Sequence, residues 1–362
     1  MPLSYILEDL LGQMPERKAS DLHLRVGEPP IMRIHGELER LDYPVLEHDS
    51  TTELMYAIMN EGQIARLKER LVLDMAHEIK GVGRYRVNCF FQQGHLSAVM
   101  RLIPWEITGV DELGLPVILK DFALAPRGLF LVTGPTGSGK STTLAAMIDH
   151  INVNRHAHIV TIEDPIEFVH QDKSCAIEQR EVGQDTLGFA DALRHVMRAS
   201  PDVILVGEMR DLETMSLAIT AAETGHLVFA TVHTTDAMQT VDRIVDVFPP
   251  SQQQQIRMQL SVALIGVVSQ GLLPTKHYAG RVPAFEIMRC TPAIRAVIRE
   301  GKTHMIYNMI QGGRDDGMIV LDAHLAELVK LDIVDYEQAI SKSSYPKEFA
   351  RRCGHTTSSA DG

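Results

Sequence analysis

The chain has 362 residues, 45% of them hydrophobic and 23% charged, with 35 basic against 47 acidic side chains and a formal net charge of −12. That length suits about two domains, each able to bury a core, and the composition is that of an ordinary globular protein. The acidic balance disfavours broad nucleic-acid binding through phosphate neutralisation, and no basic–aromatic stretch offsets it.

The chain opens with Leu3, Ile6, Leu7, Leu10, Leu11 and Met14 at helical spacing. This predicts an amphipathic helix packed on its own domain, because Glu8 and Asp9 on its polar face disfavour an anionic membrane. The same two carboxylates and the lack of a basic n-region exclude a signal peptide. DLHLRV (21–26) and IMRIHGEL (31–38) alternate around GEPP as a hairpin would. One helical stretch is expected over roughly 51–70, then strands at LVLDMAHEI, RYRVNCFFQQ and LSAVMRLIP with turns at KGVG and QQGH. This describes a small α+β domain over 1–103, an antiparallel sheet with helices on one face. PWEITGVDELGLP (104–116), with two prolines and two glycines, reads as a linker.

Beyond it, GLFLVTG, HIVTIE, DVILVGE and HLVFATVH alternate with helical segments, the pattern of a parallel sheet with crossover helices. The domain is expected to span 117–350, mainly helical from about 290, before a disordered tail at 351–362. The longest apolar stretch, LSVALIGVVSQGLL (260–273), is broken by serine, glycine and glutamine and is shorter than the ~20 residues that span a bilayer. Cys89, Cys175, Cys290 and Cys353 are far apart, with no CxxC pair; they read as buried thiols in a reducing cytosol. The expected location is cytoplasmic, at most peripheral to a membrane.

GPTGSGKSTT (134–143) follows a strand and opens a helix, the context that gives G-x-x-x-x-G-K-[ST] its meaning as a phosphate cradle. Gly134 and Thr136 begin the loop, and the N–H groups of Gly137, Ser138 and Gly139 are expected around the β-phosphate. Lys140 would contact the β- and γ-phosphates, Ser141 would bind Mg²⁺, and Thr142 completes the loop. The implied ligands are ATP and Mg²⁺.

TIEDPIEFVH (161–170) puts Glu163, Asp164 and Glu167 at the carboxyl edge of the parallel sheet, where open α/β folds bind ligands. Glu163 is the first candidate for the base acting on the attacking water. Glu208, in DVILVGEMRD, resembles the acid that holds Mg²⁺ through water, although Gly207 separates it from the apolar run; the two acids are interchangeable at this level. His226 and His233 are seven residues apart, on opposite faces of a strand and ~23 Å from each other, so they do not share a metal. His233, followed by Thr234 and Thr235, suits a γ-phosphate sensor, and His226 reads as structural or at a subunit contact.

In this order, GPTGSGKSTT, TIEDPIEFVHQ, QREVG, ALRHVMRASPDVILVGEMRD and AAETGHLVFATVHT resemble the secretion-type hexameric ATPases of the type II/type IV machinery, in their pilus-retraction branch. The resemblance implies a homohexamer with a PAS-like N-terminal domain and a RecA-like motor domain, ATP between them, and neighbouring subunits completing each site. It implies Glu163 as catalytic glutamate, a nucleotide-linked role for one or both histidines, and arginine fingers from the N-terminal domain. The matching positions are Arg86 and Arg101, which a hairpin would present together, with Arg84 as a third. AIRAVIREGK (293–302) resembles a retraction-associated motif with Ala296 and Val297 for the usual Asn-Leu. Its Ile294, Val297 and Ile298 form one helical face, with Arg295, Arg299 and Lys302 elsewhere. Implied partners are an inner-membrane pilus platform protein and an accessory retraction ATPase, with the motor at the pilus base. Pilus-assembly and type II secretion relatives usually carry a tetracysteine insert, which has no counterpart in this chain, and a longer N-terminal region. The alternatives are an accessory retraction ATPase, a pilus-assembly or type II secretion ATPase, and a nucleotide-gated switch with poor turnover.

Overall fold

The computed structural model describes residues 3–103, 106–278 and 280–354, which separate into two compact units. Unit one comprises residues 1–107 and, from further along the chain, Pro165–Val169; unit two holds the rest.

Unit one begins with α1 (Leu3–Glu16), whose Leu7, Leu10, Leu11 and Met14 are buried; the side chains of Leu3 and Ile6 lie outside the described set. Strands β1 (Ala19–Leu24), β2 (Ile31–Ile34) and β3 (Glu37–Arg40) follow. IMRIHGEL is therefore two strands: His35 and Gly36 take positive φ (50° and 91°) and turn the chain into a second hairpin. The helical stretch expected at 51–70 is likewise two helices, α2 (His48–Tyr56) and α3 (Glu61–Arg70). Asn60 causes the break: its side chain accepts from the Gln63 N–H while its own N–H donates to the Gln63 side chain, a capping box that starts α3 afresh. Then come β4 (Val72–Ile79), β5 (Gly83–Gln92) and β6 (His95–Ile103). The antiparallel sheet has order β3-β2-β1-β6-β5-β4. Alternation puts Leu22, Met75, Val87, Cys89 and Met100 on the face that packs with α1, and Asp21, Arg33, Arg84, Arg86 and Arg101 on the other.

Residues 108–116 belong to unit two, and Val110 and Leu115 are in its core, so less of 104–116 is linker than its prolines and glycines suggest. Residues 104–105 lie outside the described set. After α4 (Ile118–Ala123), β7 (Gly128–Thr133) runs into α5 (Lys140–Asn154), followed by β8 (His158–Glu163), β9 (Ala176–Glu181), α6 (Phe189–Val196), β10 (Val203–Val206), α7 (Leu212–Glu223) and β11 (Leu227–Val232). Next are α8 (Ala237–Asp246), α9 (Pro250–Ala263), β12 (Leu264–Pro274) and the edge strand β13 (Arg281–Arg289). The C-terminal part is helical: α10 (Pro292–Glu300), α11 (Ile306–Gly312), α12 (Leu321–Lys330), α13 (Tyr336–Ile340) and α14 (Pro346–Arg352). Of the expected tail, 351–352 close α14 and 355–362 lie outside the described residues.

The sheet order is β13-β12-β7-β11-β10-β8-β9, with β13 antiparallel to β12 and the other pairs parallel. β7, β10 and β11 are buried along their whole length, as a sheet covered on both faces requires. The sheet is thus the parallel core of a RecA-like unit, and the smaller antiparallel unit is PAS-like. Cys89, Cys175 and Cys290 are buried free thiols, and Cys353 is half-buried. Among the described residues no helix is long and apolar enough to cross a membrane.

Candidate active site

The loop 134–139 leaves the carboxyl end of β7 and enters α5 directly. Gly134, Gly137 and Gly139 have φ of 142°, 76° and 89°, a region that favours glycine over any residue with a Cβ. At Gly134 a Cβ would also lie 2.3 Å from the Gln270 carbonyl oxygen, and at Gly139 2.9 Å from Gln270 Nε2. The turn therefore closes against β12 and leaves Thr136 and Gly137 exposed. Lys140 Nζ donates to the carbonyls of Gly134 (2.8 Å) and Pro135 (2.9 Å), so its ammonium is folded over the loop's mouth. Ser141 and Thr142, half-buried, form the first turn of a 15-residue helix whose N-terminal N–H groups favour anions. The Ser138 hydroxyl is buried with no hydrogen-bond partner. A glycine-rich turn, a loop-bound ammonium and hydroxyls at a helix start are the features of a phosphate cradle.

Register gathers the other groups at the same edge. Val232 on β11 lies level with Thr133 on β7, and Ala230 on β11 and Ile162 on β8 lie level with Val206 on β10. His233, Glu208 and Glu163 thus follow one another across the edge from the loop. Glu163 accepts from Thr161 Oγ1 (2.6 Å) and Gln179 Nε2 (3.2 Å). Glu208 pairs with Arg210 Nε (2.5 Å) and His233 Nε2 (3.1 Å). Burial pushes the Glu208 carboxyl up, but the bonds and charges of Arg210 and His233 outweigh it and hold the group below its ordinary value. Gly207 is tight against β8: a Cβ there would be 3.1 Å from the Ile162 carbonyl oxygen. That contact explains why a glycine precedes the acid. Asp164 is exposed, and its charge raises the Arg210 pKa after the larger effect of Glu208.

His226 is at the opposite end of β11, with ring Nδ1 2.9 Å from the Ala221 carbonyl oxygen and its own carbonyl accepting from the Gly128 N–H. Thr234 is turned into the protein, with its hydroxyl 2.6 Å from that of Thr240, and Thr235 Oγ1 donates to Gln239. In unit one, Arg86 and Arg101 are directly opposed across β5 and β6. Arg101 is bonded to Asp21 (2.8 Å), Arg86 is 4.0 Å from Glu167, and Arg84 is 3.5 Å from Glu78.

On α10, Ile294, Val297 and Ile298 are buried, while Arg299 is exposed and Lys302, just beyond the helix, pairs with Glu300. Arg295 does not share that surface role. Its guanidinium donates to the carbonyls of Cys290, Ser261 and Val262, the last two at the C-terminal end of α9, where a cation satisfies unpaired acceptors. Sequence reasoning also missed Gln270, whose side chain bonds Ser138 and Thr143. Its signal was the polar break SQ inside the apolar run 260–273.

A phosphate cradle on an interior strand of a parallel sheet, with acids on β8 and after β10 and a histidine after β11, defines a RecA-like P-loop nucleotide-binding protein. Residues 2–319 match the model of the family described as type II/IV secretion system protein, and the chain belongs to that family. It is 51% identical over 343 residues to the type IV pilus retraction ATPase PilT of Pseudomonas aeruginosa, covering 95% of this chain and 99% of that one. To the type IV pilus ATPase PilU of the same organism it is 40% identical, over 92% of this chain and 87% of that one. The crystal structure of the pilus retraction motor PilT with bound ADP superposes with a TM-score of 0.89 at 46% identity, covering 96% of this chain and 99% of that one.

Proposed function

We propose that this chain is an ATP-hydrolysing motor that powers type IV pilus retraction, acting as a homohexamer on an inner-membrane platform protein at the pilus base. The observation that carries the reading is one sheet edge bearing Lys140, Glu163, Glu208 and His233, in a chain similar along nearly its whole length to PilT. The N–H groups of Gly137, Ser138 and Gly139 would hold the β-phosphate and Lys140 the β- and γ-phosphates. Ser141 and, through water, Glu208 would hold Mg²⁺; these are hard oxygen donors suited to it, and the ion supplies charge neutralisation on the triphosphate.

The two acids separate by their neighbours. Glu208 is held ionised by Arg210 and His233, which makes it a poor proton acceptor. Glu163, which accepts from Thr161 and Gln179 at the end of β8, would be the base that takes a proton from water as it attacks the γ-phosphorus in line. His233, bonded to Glu208, would report the γ-phosphate through that acid. Arg86 and Arg101, with Arg84 behind them, would supply the positive charge that phosphoryl transfer draws on. His226 keeps a structural role at the start of β11.

Glu163→Gln should retain ATP binding and lose turnover; near-normal turnover would move the base to Glu208. In the native host, Lys140→Ala should give surplus surface pili and no twitching. Bald cells would reverse the direction of the motor. Unchanged pili would indicate that another retraction ATPase substitutes, or that the chain plays the accessory role of its PilU-like relatives.

A further inference from the structure

Gln270 belongs to β12, the strand beside β7, at the level where β7 ends: Ser269 is opposite Thr133, and their hydroxyls are bonded at 2.8 Å. The Gln270 side chain is buried. Its Nε2 donates to the Ser138 carbonyl (2.6 Å), and its Oε1 accepts from Thr143 Oγ1 (2.8 Å). One amide therefore joins the phosphate loop to the first turns of α5.

We infer that Gln270 is a positioning residue for nucleotide binding, a strap that fixes the Ser138–Gly139 peptide so that the Gly139 N–H faces the phosphates. The reasoning rests on peptide geometry. In a trans peptide the carbonyl and the following N–H point in opposite directions. Holding the Ser138 oxygen against β12 therefore turns the Gly139 N–H towards the interior of the loop. Without the strap the loop must be ordered by the ligand, and that ordering is subtracted from affinity. The second bond, from Thr143, sets the start of α5 relative to the same peptide, so the loop and the helix N-terminus address one ligand together.

This inference deepens the nucleotide-binding reading above and rests on it, and equilibrium binding of ADP to the full chain separates the two. If the unaltered chain does not bind ADP, the nucleotide reading fails. If it binds, Gln270→Met, which keeps the volume and removes both bonds, should raise the ADP dissociation constant roughly tenfold, the expectation for two lost hydrogen bonds. The ligand-free melting temperature should fall by only a few degrees. Gln270→Glu provides a readout that packing alone would not move. As a carboxylate it presents an acceptor to the Ser138 oxygen, and as a neutral acid it donates. Its ADP affinity relative to the unaltered chain should therefore recover as pH falls from 9 to 6. An ADP dissociation constant for Gln270→Met within twofold of the unaltered chain would overturn the proposal, as would a flat pH profile for Gln270→Glu. If Gln270→Met does not fold, Thr143→Val cuts the strap at its helix end. A threefold or larger loss of ADP affinity is then expected, and no loss refutes the strap.

Discussion

Glu286, on β13, is only 4% exposed and among the described residues has no ion-pair partner; its Oε1 accepts from the Ala237 N–H at 2.8 Å, at the first residue of α8. A backbone bond from Leu321, at the start of α12, also lowers its pKa, while Asp236 and Asp322 add repulsion. Burial dominates and pushes its carboxyl from 4.5 to about 7. The native state therefore holds this proton more tightly than the unfolded chain. The associated stability is fully present below about 4.5 and is lost as pH rises through about 7. Between pH 5 and 8 that shift amounts to about 2–3 kcal/mol. Glu286→Gln keeps the shape and an acceptor for Ala237 but cannot ionise. Urea unfolding of both proteins should show the variant gaining about 2–3 kcal/mol on the parent as pH goes from 5 to 8. Parallel stability curves across that range would refute the reasoning and mean that water reaches the carboxylate.

Gly134→Ala should lose nucleotide binding and roughly 3 kcal/mol of stability, since φ of 142° and a Cβ at 2.3 Å from the Gln270 carbonyl oxygen both oppose it; calorimetric unfolding and ADP titration read the two effects. Arg295→Ala, which strips three carbonyls of their donor, should lower stability by about 2 kcal/mol while ADP binding by the folded fraction is retained. Arg299→Ala, on an exposed side chain of the same helix, should leave the melting temperature within a degree or so of the parent. Asp322→Ala should cost roughly 2–3 kcal/mol and expose α13 and α14 to amide exchange first, because the buried carboxylate holds the N–H groups of Ser344 and Tyr345.

The strands that bear the site were legible because each is a short apolar run ending in a chemically distinct residue: Thr133 before the loop, Glu163, Gly207–Glu208 and His233. Periodicity also gave the N-terminal helix and the β4–β5–β6 meander, and the resemblance picked out Arg86 and Arg101, which that meander places opposite each other. The failures share a cause. β9 reads AIEQRE, an edge strand in which both alternating sets, Ala176–Glu178–Arg180 and Ile177–Gln179–Glu181, are mostly polar, so no apolar alternation marks it. The split of IMRIHGEL depends on two positive φ values, and the split at Asn60 on a reciprocal side-chain cap; both are local geometry that hydropathy does not record. Arg295 looked like a surface cation because two of its three acceptors lie 34 and 33 residues earlier in sequence and meet it only when α10 packs on α9.

The site's electrostatics follow from the same long-range pairings. Each charged group at the sheet edge already has a partner of a particular strength. The ammonium of Lys140 donates to two neutral carbonyls, with which a phosphate would compete because its oxygens carry full charge. Glu208 is held by a guanidinium and an imidazole, partners that a phosphate attracts rather than displaces. On the function proposed above, an arriving triphosphate would compete for the Lys140 ammonium, while Arg210 and His233 would be shared between the phosphate and Glu208.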